Sequence, residues 1–164
     1  MAPQRLHQIK REIRVLGIAA RQDSGGFTIV GVVYRGKLWL DGVLKAHSKE
    51  VDITDALAEM LVDSPHSGQV RVIIMSRENL LGEVRVSPEE LSTKTGKPVI
   101  MLGDTGETSY IWSNDDEKAA FSAMGLSHGS AEGVLKASTR EGVIPEALRV
   151  AALILSALPI VQDA

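Results

Sequence analysis

Ile13-Arg-Val-Leu-Gly-Ile-Ala19, then the loop sequence Asp23-Ser24-Gly25-Gly26, then Phe27-Thr-Ile-Val-Gly-Val-Val-Tyr34, Arg35-Gly36 and Lys37-Leu-Trp-Leu-Asp-Gly-Val-Leu44, decide the fold. The first run is rich in β-branched and aliphatic residues and alternates only loosely, which predicts a central strand covered on both faces. The next two runs are joined by a tight turn and predict an antiparallel hairpin. Beyond them, Asp52-Ile-Thr-Asp55 opens a helix whose apolar positions Ala56, Leu57, Met60 and Leu61 share one face, and Asp52 or Thr54 can accept free N–H groups at its start. Val70-Arg-Val-Ile-Ile-Met75 predicts a second buried strand. Ser87-Pro88-Glu89-Glu90 has the serine cap, proline and glutamate of a helix start, Gly96 stops that helix, and Pro98-Val-Ile-Met-Leu102 supplies another strand. Strand, helix, strand, helix, strand implies parallel crossovers in a mixed α/β sheet. Ile144-Pro145-Glu146 opens a last helix, Ala147 to Leu158, apolar almost all round. Tyr110 to Met124 reads either as a short helix or as a hairpin turning at Ser113-Asn-Asp-Asp-Glu117.

The chain has 164 residues, 44% apolar and 24% charged, as in an ordinary globular protein of one domain, here taken as 1–164. There is no cysteine, which excludes a disulfide framework, a thiolate metal site and a cysteine nucleophile, and accords with a reducing, cytoplasmic setting. Residues 1–14 lack the apolar block of a secretory signal, and the most apolar stretch, Val150 to Val161, is broken by Ser156 and Pro159 and too short to cross a bilayer. The net charge of −3 conceals an asymmetry: residues 1–49 hold 9 Lys/Arg against 3 Asp/Glu, and residues 50–164 hold 9 against 18. The basic first third suits a phosphate-bearing partner if folding gathers it on one surface.

Local motifs exclude more than they assign. Asp23-Ser-Gly-Gly26 lacks the lysine and following helix of a phosphate loop. The histidines His7, His47, His66 and His128 form no pair at helical spacing, which removes local support for a zinc hydrolase. No G-x-S-x-G turn is present. An α/β sheet presents its ligands at the carboxyl ends of its strands. Here the first strand ends in Ala19-Ala20 and the fourth in Met75-Ser76-Arg77, leaving Asp52 as the acid placed to point into such a site, or to cap its helix.

The same segments resemble an archaeal family of endonuclease V-like proteins, also called the endonuclease dU family, with a ribonuclease H-like fold. The resemblance is carried by Glu12–Ile18, Val30–Gly36, Trp39–Leu44, Val51-Asp52 with Asp55, Ser64 and His66 with Gly68-Gln69 and Arg71-Val-Ile73, Thr95-Gly96 with Pro98–Ile100, and Thr139-Arg140 with Ile144–Glu146 and Leu148–Ala151. It implies that Tyr110 to Met124 is a hairpin, and that a Mg²⁺- or Mn²⁺-dependent phosphodiesterase site is built from an acid after strand one, an acid near the first helix and an acid after strand four. The family's first strand runs into paired aspartates where this chain has Ala19 and Ala20. Its fourth strand runs into Asp-Gly where this chain has Ser76-Arg77. Of the three acids, Asp52 remains.

The resemblance therefore implies a catalytically impaired endonuclease V-like protein, with no resident cofactor, that binds DNA or RNA without cutting it. A working alternative takes Asp23 and Asp52 as catalytic residues, with Asp23 swinging back on its loop, and holds Mg²⁺ or Mn²⁺ through Asp52 and Glu78. Arg140, Glu146, Arg149 and His66 are the substrate-binding candidates. A non-enzymatic structural or regulatory partner, self-associating as a homodimer through an exposed sheet edge or an apolar surface, is the third expectation; none involves a membrane.

Overall fold

The computed structural model describes residues 9–103, 106 and 108–160. One eight-stranded sheet carries the order β3-β2-β1-β4-β6-β8-β7, with the short β5 pairing on β1 beyond the tip of β4. The strands are β1 (Arg14–Asp23), β2 (Gly26–Arg35), β3 (Trp39–Ser48), β4 (Val72–Ser76), β5 (Leu80–Leu81), β6 (Val99–Leu102), β7 (Tyr110–Asn114) and β8 (Glu117–Met124). The helices are α1 (Thr54–Val62), α2 (Pro88–Thr95), α3 (His128–Ser138) and α4 (Glu146–Ala157). The β1, β4 and β6 strands run parallel, the β1–β2–β3 meander and the β7–β8 pair antiparallel.

Alternation along β1 builds two cores. Val15 and Ala19 enter the cluster formed with Val134, Leu135, Leu148 and Ala151 of α3 and α4. Leu16, Ile18 and Ala20 enter the cluster formed with Leu57 and Leu61 of α1 and Leu91 of α2. A strand with helices on both faces must read as nearly continuous apolar sequence, as this one does.

The β1–β2 connection is tighter than its sequence suggests. The strand does not stop near Ala19 but continues to Asp23, which pairs with Gly26 and leaves Ser24 and Gly25 as the turn. Two partners hold the extension: Ala20 and Arg21 pair with Leu80 and Leu81 of β5 on one side and with Ile29 and Thr28 of β2 on the other. Likewise β3 runs on to Ser48 rather than ending at Leu44.

The Tyr110–Met124 segment is a hairpin and contains no helix. Asp115 and Asp116 both take positive φ, +52° and +62°, the conformation of a type I′ turn, which matches the twist of its strands. The α3 helix was not foreseen, because Gly129 and Gly133 dilute its pattern. Ser127 caps it by accepting from the Ser130 N–H, and Gly133 gives room to Ile9, whose Cγ1 would lie 2.9 Å from an added Cβ.

Gly17 fixes how closely α4 lies on the sheet. A Cβ there would fall 2.5 Å from the carbonyl carbon of Ala147 and 2.6 Å from its oxygen. Since backbone atoms must give way, Gly17→Val is expected to cost at least the ~1–3 kcal/mol of ordinary overpacking, read as a lower urea midpoint at unchanged slope. An unchanged midpoint would show that α4 is not seated this tightly.

Candidate functional site

The edge of the sheet to consider is the one at which β1 and β4 end and α1 begins. In the parallel register Gly17 faces Ile74, two residues before Ala19 and Ser76 in their own strands. Both Ala19 and Ala20 are fully buried, on opposite faces of the sheet. After Ser76 the chain makes a short 3₁₀ turn over Arg77–Asn79, and the Ser76 hydroxyl caps it by accepting from the Glu78 N–H at 3.2 Å. The Asn79 amide then donates to the Ile18 carbonyl at 3.2 Å and the Leu148 carbonyl at 3.1 Å, tying β1 to α4 beside the tip of β4.

Asp52 is exposed and stands just ahead of α1, whose cap position is taken by Ile53 and carries no side-chain cap. One carboxylate oxygen accepts from the Thr54 N–H at 3.0 Å and from its hydroxyl at 2.6 Å, while that hydroxyl also accepts from the Ser87 N–H at 3.0 Å, joining the starts of α1 and α2. The Thr54 hydrogen bonds lead over burial in holding the Asp52 carboxyl below its ordinary range, and Lys94 and Arg85 add to this.

Asp23 sits in β1, not in a flexible loop, so the sequence expectation of a loop able to swing it back is corrected. Its side chain is almost completely enclosed, and each oxygen already has a donor: Arg21 Nε at 2.9 Å on one, the Thr28 hydroxyl on the other. Burial pushes its pKa up, but the Thr28 and Arg21 hydrogen bonds and the Arg21 charge outweigh it, and the net shift is downward. Arg21 is itself anchored, donating to the Leu155 carbonyl at 2.6 Å and the Pro159 carbonyl at 2.8 Å at the end of α4.

A divalent ion of the Mg²⁺ or Mn²⁺ type needs several hard oxygen ligands converging on one point. The residues here do not fit it. Alanines occupy the first position, Ser76 is used as a cap beside the cationic Arg77, Asp23 is buried and paired with Arg21 and Thr28, and Glu78 is exposed on the turn. Among the described residues no group of three or more His, Asp or Glu side chains could hold a metal ion.

The other four candidates lie where β1 starts. Glu146, buried at the first turn of α4, is paired with Arg149, whose Nε lies 3.0 Å from Oε2, and more loosely with Arg140 at 3.9 Å. Arg140 also donates to the Lys37 carbonyl at 3.1 Å, just past Arg35, which is opposite Arg14 in the register. The Arg149 hydrogen bond, against the opposing effect of burial, lowers the Glu146 pKa. His66 packs on β3, its Nε2 2.4 Å from where a Gly42 Cβ would stand. Asp52 and Glu78 thus share one end of β1 and β4, and His66, Arg140, Glu146 and Arg149 gather near the other. His7 lies outside the described residues.

Asp23, Asp41 and Glu146 all have depressed folded-state values, in Asp41 through Arg35 and Arg14 acting against burial. A depressed carboxyl contributes stability that is complete above its unfolded pKa, about 3.9 for Asp and 4.3 for Glu, and is lost as pH falls through the folded value. Urea midpoints are therefore expected to be level from pH 7 to about 5 and to fall steadily below pH ~4. A midpoint that held to pH ~3 would contradict these pairings.

Sequence reading missed Arg21, Asn79 and a cleft of about 720 Å³ bordered by Arg77, Pro88, Tyr110, Ser122 and Met124, where Tyr110 stacks on His128 with ring centroids 4.6 Å apart. None of these carries a local signal, since each depends on residues distant in the chain.

No protein-family profile matches the sequence. The chain is 37% identical over 107 residues to a UPF0215 protein of Methanopyrus kandleri, an alignment covering 60% of this chain and 52% of that protein. It thus spans about half the length of several of the curated relatives it matches. With a UPF0215 protein of Thermococcus kodakarensis the identity is 29%, over 93% of this chain and 95% of the relative. Among solved structures, a protein of unknown function from Archaeoglobus fulgidus superposes with a TM-score of 0.72 at 22% identity, covering 88% of this chain and 96% of that one. Endonuclease V from Streptomyces avermitilis gives 0.60 at 14% identity, over 87% of this chain and 79% of that one. Endonuclease V from Ciona intestinalis, in complex with a 24mer DNA containing an inosine followed by a ribo-adenosine, gives 0.61 at 11%, over 86% and 83%. The chain is similar in sequence to archaeal UPF0215 proteins and has the ribonuclease H-like fold of endonuclease V.

Proposed function

We propose that this chain is an endonuclease V-like protein that has lost divalent-ion-dependent cleavage and keeps the ability to bind a nucleic-acid strand. The observation that carries the first half is Ala19. The position where the resemblance expects an acid is fully buried in the core beside α3 and α4, and Ser76, at the end of β4, is occupied in capping. Phosphodiester hydrolysis by this route uses the ion to generate a nucleophile and to steady the leaving oxygen. Losing even outer partners of a metal ligand typically costs about 10- to 100-fold, so the loss of two direct ligands costs at least that. The binding half is supported by the DNA complex of the similarly folded Ciona protein and by the cations described below.

Incubated with inosine- or uracil-containing DNA and Mn²⁺, the protein is expected to leave the strand intact while retarding it at low salt. Cleavage that disappears in Asp52→Asn would instead support a working nuclease using Asp23, Asp52 and Glu78. Failure to bind any strand at low ionic strength would remove the second half of the proposal.

A further inference from the structure

We infer that the strand-binding surface lies where β1 begins, at the opposite end from the Ala19–Ser76 edge, and that it grips the phosphate backbone rather than the bases. This rests on the binding half of the reading above. Two grooves flank the segment Lys10–Arg14. One, of about 370 Å³, is lined by Lys10, Arg14 and Arg71; the other, of about 270 Å³, by Arg11, Lys37 and Lys136. Glu12 is the one acid in either lining among the described residues.

The fold assembles this cluster from four separate parts of the chain. Arg71 donates its N–H to the Arg14 carbonyl at 2.9 Å, and Gly36 to the Ile13 carbonyl at 2.7 Å. The end of α3 closes in behind: a Cβ on Gly36, which has φ +53°, would lie 2.0 Å from the Arg11 oxygen and 3.0 Å from that of Ala137. Arg14 is neutralised by Asp41 at 3.0 Å. Lys10, Arg11, Lys37, Arg71 and Lys136 make no ion pair among the described residues.

Unpaired cations on both sides of one ridge suit a repeating polyanion better than a single phosphate, because the charges are spread over two grooves and no buried donor set converges on one point. Ile9, Ile13 and Leu38 give the grooves apolar walls against which sugars can lie. Two residues past Arg140, the Gly142 N–H donates to Asp115 at 3.0 Å, beside Asp116 and Glu117.

The test is the anisotropy of a fluorescein-labelled thymidine homopolymer of about 20 nucleotides, titrated with protein from about 20 to 200 mM salt. The triple variant Lys10→Glu/Lys37→Glu/Lys136→Glu is expected to bind at least tenfold more weakly, with a log–log salt slope shallower by about 2. The control Lys45→Glu/Lys49→Glu, on and beyond β3, is expected to stay within about twofold of the parent. Urea melts confirm that each variant is folded. Undiminished binding by the folded triple variant, or an equal loss in the control, would overturn this placement and leave the proposed function standing. No binding by the parent at about 20 mM salt would overturn both. Triple-sensitive binding to phosphatidylserine vesicles without binding to the homopolymer would assign the cations to a lipid surface and also overturn the inference.

Discussion

Ala19→Asp is expected to lower stability by about 3 to 5 kcal/mol, the scale of a buried charge left without a partner. In a metal-dependent relative an acid at this position would meet a cation. Here Ala19 is fully enclosed in the cluster that includes Leu148, Ala151 and Leu155. The new carboxyl must either stay charged in an apolar core or take up a proton, with a raised pKa in consequence. Urea denaturation at pH 7 and pH 5 reads both effects, since the penalty should shrink as pH falls toward the raised value. A variant within about 0.5 kcal/mol of the parent would mean that the position opens to solvent and can hold an acid.

The second large effect is expected from Arg21→Met. Arg21 is the cationic partner of the buried Asp23 and also binds the Leu155 and Pro159 carbonyls. Removing it strands a carboxylate whose side chain is 1% exposed, with the Thr28 hydroxyl as remaining donor, so a loss of about 3 to 5 kcal/mol is expected. Adding Asp23→Asn should restore most of that loss, because the charge disappears with its partner. If the double variant is no better than Arg21→Met alone, Arg21 acts through the end of α4 and not through Asp23.

The strands and helices with continuous apolar runs or conventional caps were legible in the sequence. Ser87, Pro88 and Gly96 delimit α2 as expected, with the serine accepting from the Glu90 N–H and the glycine at φ +70°. The extension of β1 to Asp23 was not legible, because it depends on pairing with β2 and β5. A polar run such as Arg21-Gln-Asp23 reads as loop until its partners are known. The α3 helix was hidden for a different reason: its two glycines weaken helical propensity, and packing against the sheet compensates.

At the candidate site the sequence disclosed what was missing and little of what replaced it. Ala19, Ala20 and Ser76 could be read directly as residues unable to act as strong ligands. The Asn79 bridge from β1 to α4 and the donors on Asp23 are tertiary facts with no sequence pattern. The same holds for the cations. The charge asymmetry was countable, yet the gathering of Lys10, Arg11, Lys37, Arg71 and Lys136 follows from how β1, the β2–β3 turn and α3 meet.

The most direct test of the proposed loss of an ion site is a Mn²⁺ titration of the intact protein followed by water-proton relaxation. The account predicts no site tighter than about 1 mM and no difference between the parent and Asp52→Asn. A stoichiometric Mn²⁺ site tighter than about 0.1 mM that vanishes in Asp52→Asn would contradict it.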